Sequence, residues 1–155
     1  LGKALLRAAE LAAAQEETAL LELARPWLAR HYRGFEEIDR LLELVETFGR
    51  ARLESLPPLD SPGHAAALEA IAAEYSDTPT QARASVSLAA LRERRGEREA
   101  ARAIYKQVIQ DLPWPENADS LASARTALAR FRQEDIRRRL EEIEKKKKNG
   151  PAQKK

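Results

Sequence analysis

A chain of 155 residues is long enough for one domain with an appendage, and 43% hydrophobic residues suffice for a core. Aromatic residues make up only 5% and alanine and leucine supply most of the apolar share, which excludes a strand-rich fold and favours an all-α one. Cysteine is absent, which excludes disulfides and thiolate metal sites. The net charge of +2 conceals a divided chain: residues 145–155 hold six lysines and no acid, and setting these six aside leaves residues 1–144 at −4, the opposite of a nucleic-acid-binding body.

In chain order, the spacing of Leu5, Leu6, Ala9, Ala12, Ala13, Leu20, Leu21 and Ala24 predicts a helix over 1–24. Pro26 is expected to break it, with Trp27 and Leu28 packing into the next element and Gly34 as a stop. Position 1 is Leu1, not methionine, which implies processing or a fragment and leaves room upstream for a signal peptide or anchor. A second helix is expected over 35–53, with Ile38, Leu41, Leu42, Val45 and Phe48 inward and Glu36, Glu37, Arg40, Glu43 and Glu46 on the other face. Residues 56–63, with Pro57, Pro58, Pro62 and Gly63, read as a loop that separates an N-terminal helical hairpin, 1–56, from the helices beyond it.

Ser61-Pro62 and Thr78-Pro79 each place a capping hydroxyl before a proline at the first helical position. They open predicted helices over 64–75, with Ala67, Leu68, Ile71 and Ala72 inward, and over 79–95, with Val86, Leu88, Ala89 and Leu91 inward. Gly96 ends the latter in the manner of a left-handed C-terminal glycine. A helix over 97–111 carries Ala100, Ala101, Ile104, Tyr105, Val108 and Ile109, and Pro113-Trp114-Pro115 turns the chain. From Asn117, Leu121, Ala124, Leu128 and Phe131, then Ile136, Leu140 and Ile143, predict helix to about Lys148, read as a capping element over 133–148. Glu134/Arg138, Asp135/Arg139, Glu141/Lys145 and Glu142/Lys146 are i,i+4 pairs worth about 0.2–0.5 kcal/mol each. Residues 149–155 are expected to form a disordered basic tail. No apolar run reaches the roughly 20 residues a membrane span needs.

Pro79 and Pro113 stand 34 residues apart, each closing an alanine-rich stretch. That period, with Leu88 and Ala89, Gly96, Ala101, Tyr105 and Pro113 at their places, resembles one tetratricopeptide (TPR) helix-turn-helix unit. Ala67, Ile71 and Pro79 repeat part of the pattern one period earlier, and Leu121, Ala124 and Leu128 repeat part of it later, so the resemblance covers 64–132. Ser85 and Arg92 depart from it, standing where the family prefers large apolar or aromatic residues. The segment Glu74-Tyr75-Ser76-Asp77-Thr78-Pro79 is also similar to the variant found in bacterial cell-envelope repeat proteins.

The resemblance implies an antiparallel helix-turn-helix stack that acts as a non-enzymatic scaffold for protein contact, in a bacterial envelope or membrane-associated assembly, periplasmic rather than cytoplasmic. Partners of such repeats lie along the first helices. Here that surface would comprise Arg83, Val86, Ser87, Ala90, Glu93 and Arg94, suited to a helix or an extended segment. The residues that grip a peptide carboxylate in chaperone-binding members have no counterpart, since Val86 and Ala90 stand there. No cofactor, metal or small-molecule substrate is expected. His31 and His64 lack a third ligand, and there is neither a Gly-rich phosphate loop nor a nucleophile elbow.

Arg92, Arg94, Arg95, Arg98 and Arg102 crowd the turn at Gly96. They read either as a dock for an acidic or phosphate-bearing partner or, preferred here, as a solvated turn balanced by Glu93, Glu97 and Glu99. Lys145, Lys146, Lys147 and Lys148 suggest an alternative function, contact with anionic lipid or nucleic acid. Their bland reading is a solubilising end. Another alternative is a homo-oligomeric seam of Leu128, Phe131, Ile136, Leu140 and Ile143.

Overall fold

The computed structural model describes residues 2–29 and 34–148. Among them are seven α-helices, one short 3₁₀ turn and no strand. The helices are α1 (Gly2–Gln15), α2 (Glu17–Ala29), α3 (Glu36–Glu54), α4 (Gly63–Glu74), α5 (Pro79–Arg94), α6 (Arg98–Asp111) and α7 (Ala118–Lys148), the last entered through the 3₁₀ turn Pro115–Asn117. The protein is all-α.

The expected single helix over 1–24 is two helices. Glu16 marks the joint: its N–H donates to Ala12 O (2.9 Å) and its carbonyl accepts from Leu20 N (3.3 Å), so the reversal needs neither glycine nor proline. Gly2 lies against the carboxyl of Glu37, near the start of α3, while Glu17 reaches Arg52 (3.5 Å), near its end. Thus α1 runs parallel to α3 and α2 antiparallel to it. Burial explains the reversal. A straight helix over 2–29 would be about 42 Å long and would overhang the 19 residues of α3, leaving Leu5 and Ala9 in water. Folded back, they join Leu20, Ala24, Leu28, Ile38, Leu41 and Val45 in one core. The N-terminal unit is three helices, not a hairpin.

Pro26 does not break α2. Pro26 and Glu22, whose carbonyl loses its helical partner, are both exposed, so water can replace the missing bond.

Residues 55–62 turn the chain without dividing its core. Leu68, Ile71 and Tyr75, with Ala84, Leu88 and Leu91 of α5, belong to the same cluster as Leu5 and Leu20. His64 Nδ1 donates to Pro57 O (2.6 Å), which fastens this loop to α4. Ser61 does not cap α4: its hydroxyl is buried without a partner, and Pro62 occupies the capping position. Thr78 does cap α5, accepting from Gln81 N (3.3 Å), with Pro79 in the first turn. Gly96 adopts φ +78 as expected of the helix stop.

From α5 onward each helix packs on its sequence neighbours, and α5 also touches α3 and α7. A second core gathers Ala89, Ala101, Tyr105, Val108, Leu121, Ala124, Ala127 and Phe131 from α5, α6 and α7. Residues 133–148, expected as a capping element, continue α7, so that one helix runs unbroken from Ala118 to Lys148.

Candidate functional site

The N-terminus of α5 is set by a contact the sequence does not announce. Glu46, expected on the outer face of α3, is only 8% exposed. One of its oxygens accepts from the backbone N–H of Thr80 (2.8 Å) and the other pairs with Arg83. A carboxylate from α3 therefore satisfies an orphan donor in the first turn of α5 and meets the positive end of its dipole. Gly49 makes this approach feasible, since a Cβ there would collide with Thr80 Oγ1. Glu46 and Gly49 carry the alignment of α3 against α5.

That alignment turns one side of α5 outward. Ala82, Ala84, Leu88, Ala89 and Leu91 are buried on its inner sides. Of the expected partner-binding residues, Arg83, Ser87 and Arg94 are exposed and Val86, Ala90 and Glu93 half-buried. They form one face, as steps of three and four residues require. Its borders are fixed by charge: Arg83 pairs with Glu46 of α3, and Glu93 with Arg130 of α7 (2.6 Å). Val86 rests against the second core. The face is a shallow aliphatic strip, Val86 and Ala90, with a guanidinium near each end. It offers contact area and hydrogen-bonding groups.

The arginines about Gly96 are largely committed within the chain. Arg92 bridges Glu69 (2.8 Å) and Glu97 (2.6 Å). Arg98 pairs with Glu134 and Asp135 (3.0 Å) and donates to the carbonyl of Phe131 (2.8 Å). Arg102 joins Asp135 at 2.6 Å and holds that carboxyl below its ordinary pKa. The balance is struck less by the neighbouring acids than by Glu69, Glu134 and Asp135, which sequence proximity does not suggest. Glu134 and Asp135 thus reach α6 rather than serving chiefly as partners of Arg138 and Arg139.

Lys145–Lys148 form the exposed last turn of α7. Of the oligomeric seam, Phe131 is turned into the second core at 2% exposure and Leu128 is half-buried, whereas Ile136, Leu140 and Ile143 remain exposed. His31 lies outside the described residues. Among those described, no group of three His, Cys, Asp or Glu side chains could hold a metal ion, and no helix is long and apolar enough to cross a membrane.

Sequence reading missed a cleft of about 280 Å³ between α4, α5 and α6. Ala72, Leu88, Ile104 and Val108 line it, with Glu69 and Asp111 among its polar groups. The available signal was Ser85: a small residue among the larger side chains that line this cleft leaves space unfilled.

Comparison with protein-family models, curated proteins and solved structures finds no match to this chain.

Proposed function

We propose that this chain is a non-enzymatic protein–protein interaction scaffold, a TPR-like stack of helix pairs whose α5 face receives a helix or extended segment of a partner. The observation that carries this reading is the outward face of α5, flanked by α3 and α7 and bearing Arg83, Val86, Ser87, Ala90, Glu93 and Arg94. Its support in the packing is that α5 meets the next helix but one on each side, α3 and α7, besides its neighbours α4 and α6. Helix-pair repeats build their stacks through nearest-neighbour contacts of this kind.

The correspondence between periods is partial. Ile71 and Tyr105 are both buried, whereas Ala101 is buried and Ala67 half-buried. A shallow strip with Val86 and Ala90 at its centre favours apolar contacts and backbone hydrogen bonds over capture of a terminal carboxylate. The proposed setting is a bacterial envelope or membrane-associated assembly, supported by the resemblance of residues 74–79.

Selection of displayed peptides tests the reading. Peptides selected on the wild-type chain should lose at least tenfold in affinity for Ala90→Arg, which alters a half-buried position on the strip, and keep their affinity for Lys106→Ala at an exposed position of α6. Binders indifferent to Ala90→Arg, with native helicity retained, would remove the α5 face from consideration.

A further inference from the structure

Two apolar stripes follow one another along α7, and they point in different directions. The first runs through Leu121, Ala124 and Phe131 into the second core. Continuing it would require apolar residues at 134 or 135, but Glu134 and Asp135 stand there and bind Arg98 and Arg102 of α6. The apolar series resumes at Ile136, five residues after Phe131, and so about 140° further round the helix. Ile136, Leu140 and Ile143 are 50%, 56% and 49% exposed. The ion pairs to α6 fix the rotation of α7, and with it this second stripe turns away from the body.

Acids, though not bases, are sorted about the same stripe. At about 100° per residue, Arg132, Arg139, Lys146 and Lys147 fall on the half of the helix centred on Ile136, Leu140 and Ile143, with Glu144 the one acid there. Glu134, Asp135, Glu141 and Glu142 fall on the opposite half together with Arg137, Arg138, Lys145 and Lys148, so that half is balanced while the half bearing the stripe keeps a surplus of bases. A stripe bordered by bases disfavours a second copy of itself, because like charges would oppose one another across the seam. It matches a negatively charged surface with an apolar interior, where arginine and lysine stems lie along the apolar layer and their heads reach the anions.

We propose that residues 132–148 of α7 form an interfacial helix that lays Ile136, Leu140 and Ile143 into an anionic phospholipid surface, with Arg132, Arg139, Lys146 and Lys147 at the headgroups. This surface is separate from the α5 face, so the two readings stand or fall independently. The lysine run supplies part of the attraction, but the apolar stripe decides where the helix lies, which distinguishes this site from a purely electrostatic tail.

The test is co-sedimentation of the full chain with vesicles of phosphatidylcholine alone and of phosphatidylcholine mixed with phosphatidylglycerol. Wild type is expected to partition onto the mixed vesicles at low salt and not onto the neutral ones. Leu140→Ser with Ile143→Ser should weaken partitioning at least tenfold with helicity unchanged, because both sites are solvent-facing and lie outside the two cores. Arg139→Glu with Lys146→Glu should weaken it similarly. Three outcomes would overturn the proposal: no partitioning onto anionic vesicles by natively helical protein, partitioning unchanged in the double serine variant, or self-association abolished by those serines with no vesicle binding. Binding of duplex DNA as tightly as vesicles, indifferent to the serines, would likewise replace it with a polyanion contact.

Discussion

The two cores of this molecule are built from different material. The first, shared by α1 to α5, holds alanines at 9, 24, 65 and 84 but is filled mainly by leucine, isoleucine and valine around Tyr75. It is fastened where α2, α3, α4 and α5 meet by polar contacts: Glu46 to Thr80 and Arg83, Tyr75 to Glu17, and Arg52 to Glu74 (3.0 Å). The second, shared by α5 to α7, is built on alanines at 89, 101, 124 and 127, with Tyr105 and Phe131 filling the space they leave, ring centroids 6.2 Å apart. Arg98, Arg130 and Arg102 place their guanidinium carbons 4.6, 5.5 and 5.6 Å from the Phe131 ring centroid. Aliphatic packing tolerates small adjustments. A core of alanines holds helices so close that any added volume must move a whole helix.

The largest expected effect comes from that contrast. Ala101 is fully buried, and Ala101→Arg would force a charged chain between α5, α6 and α7. A loss of more than about 4 kcal/mol is expected, with amide-exchange protection vanishing from α6 and α7 before α1 to α3. Arg98→Ala removes cation–π and ionic contacts at the rim and should cost only about 1–2 kcal/mol. Denaturant melts giving the two variants equal midpoints would show that Ala101 is not a packing centre.

In the first core the polar fastening can be removed separately from the aliphatic filling. Glu46→Ala leaves the Thr80 N–H buried without its acceptor and should destabilise by about 2 kcal/mol, whereas Glu46→Gln keeps an acceptor and should recover part of the loss. Gly49→Ala should cost a similar amount, because its methyl would meet Thr80. Urea melts in which Glu46→Ala matches wild type would mean that the α3 carboxylate does not hold α5.

These contacts mark the limit of what the sequence discloses. The helices from α3 onward were legible within a residue or two, because Thr78-Pro79, Gly96 and Pro113 are local signals and the apolar periodicity is regular. The reversal at Glu16 was not, since nothing local breaks the helix there and only burial against α3 decides it. Pro26 misled in the opposite sense, its cost being small on a solvent-facing side. Glu46 was assigned outward by periodicity alone, because a buried carboxylate is recognised only from its partner 34 residues away. At the candidate site the face of α5 was legible as a set of positions. Its borders at Glu46 and Arg130 were not, being long-range charge pairs.

The smallest expected effect concerns the contact between α4 and α2. The Tyr75 side chain is buried and its hydroxyl donates to the Glu17 carboxylate. Burial, and then that carboxylate, push the phenol above its ordinary value of 10.0. A raised folded-state pKa means that the neutral phenol stabilises the fold fully below about pH 10, and that this contribution fades as pH rises from there, because the unfolded chain loses its proton first. Tyr75→Phe should therefore cost about 1 kcal/mol at pH 7, the net value of one hydrogen bond. Above pH 10 the gap between variant and wild type should narrow, because wild type alone loses the Tyr75 contribution. Thermal melts from pH 7 to 11 give the comparison directly. A gap that stays constant across that range would mean that the phenol keeps no proton the unfolded chain gives up, and that α4 is held to α2 by the buried ring alone.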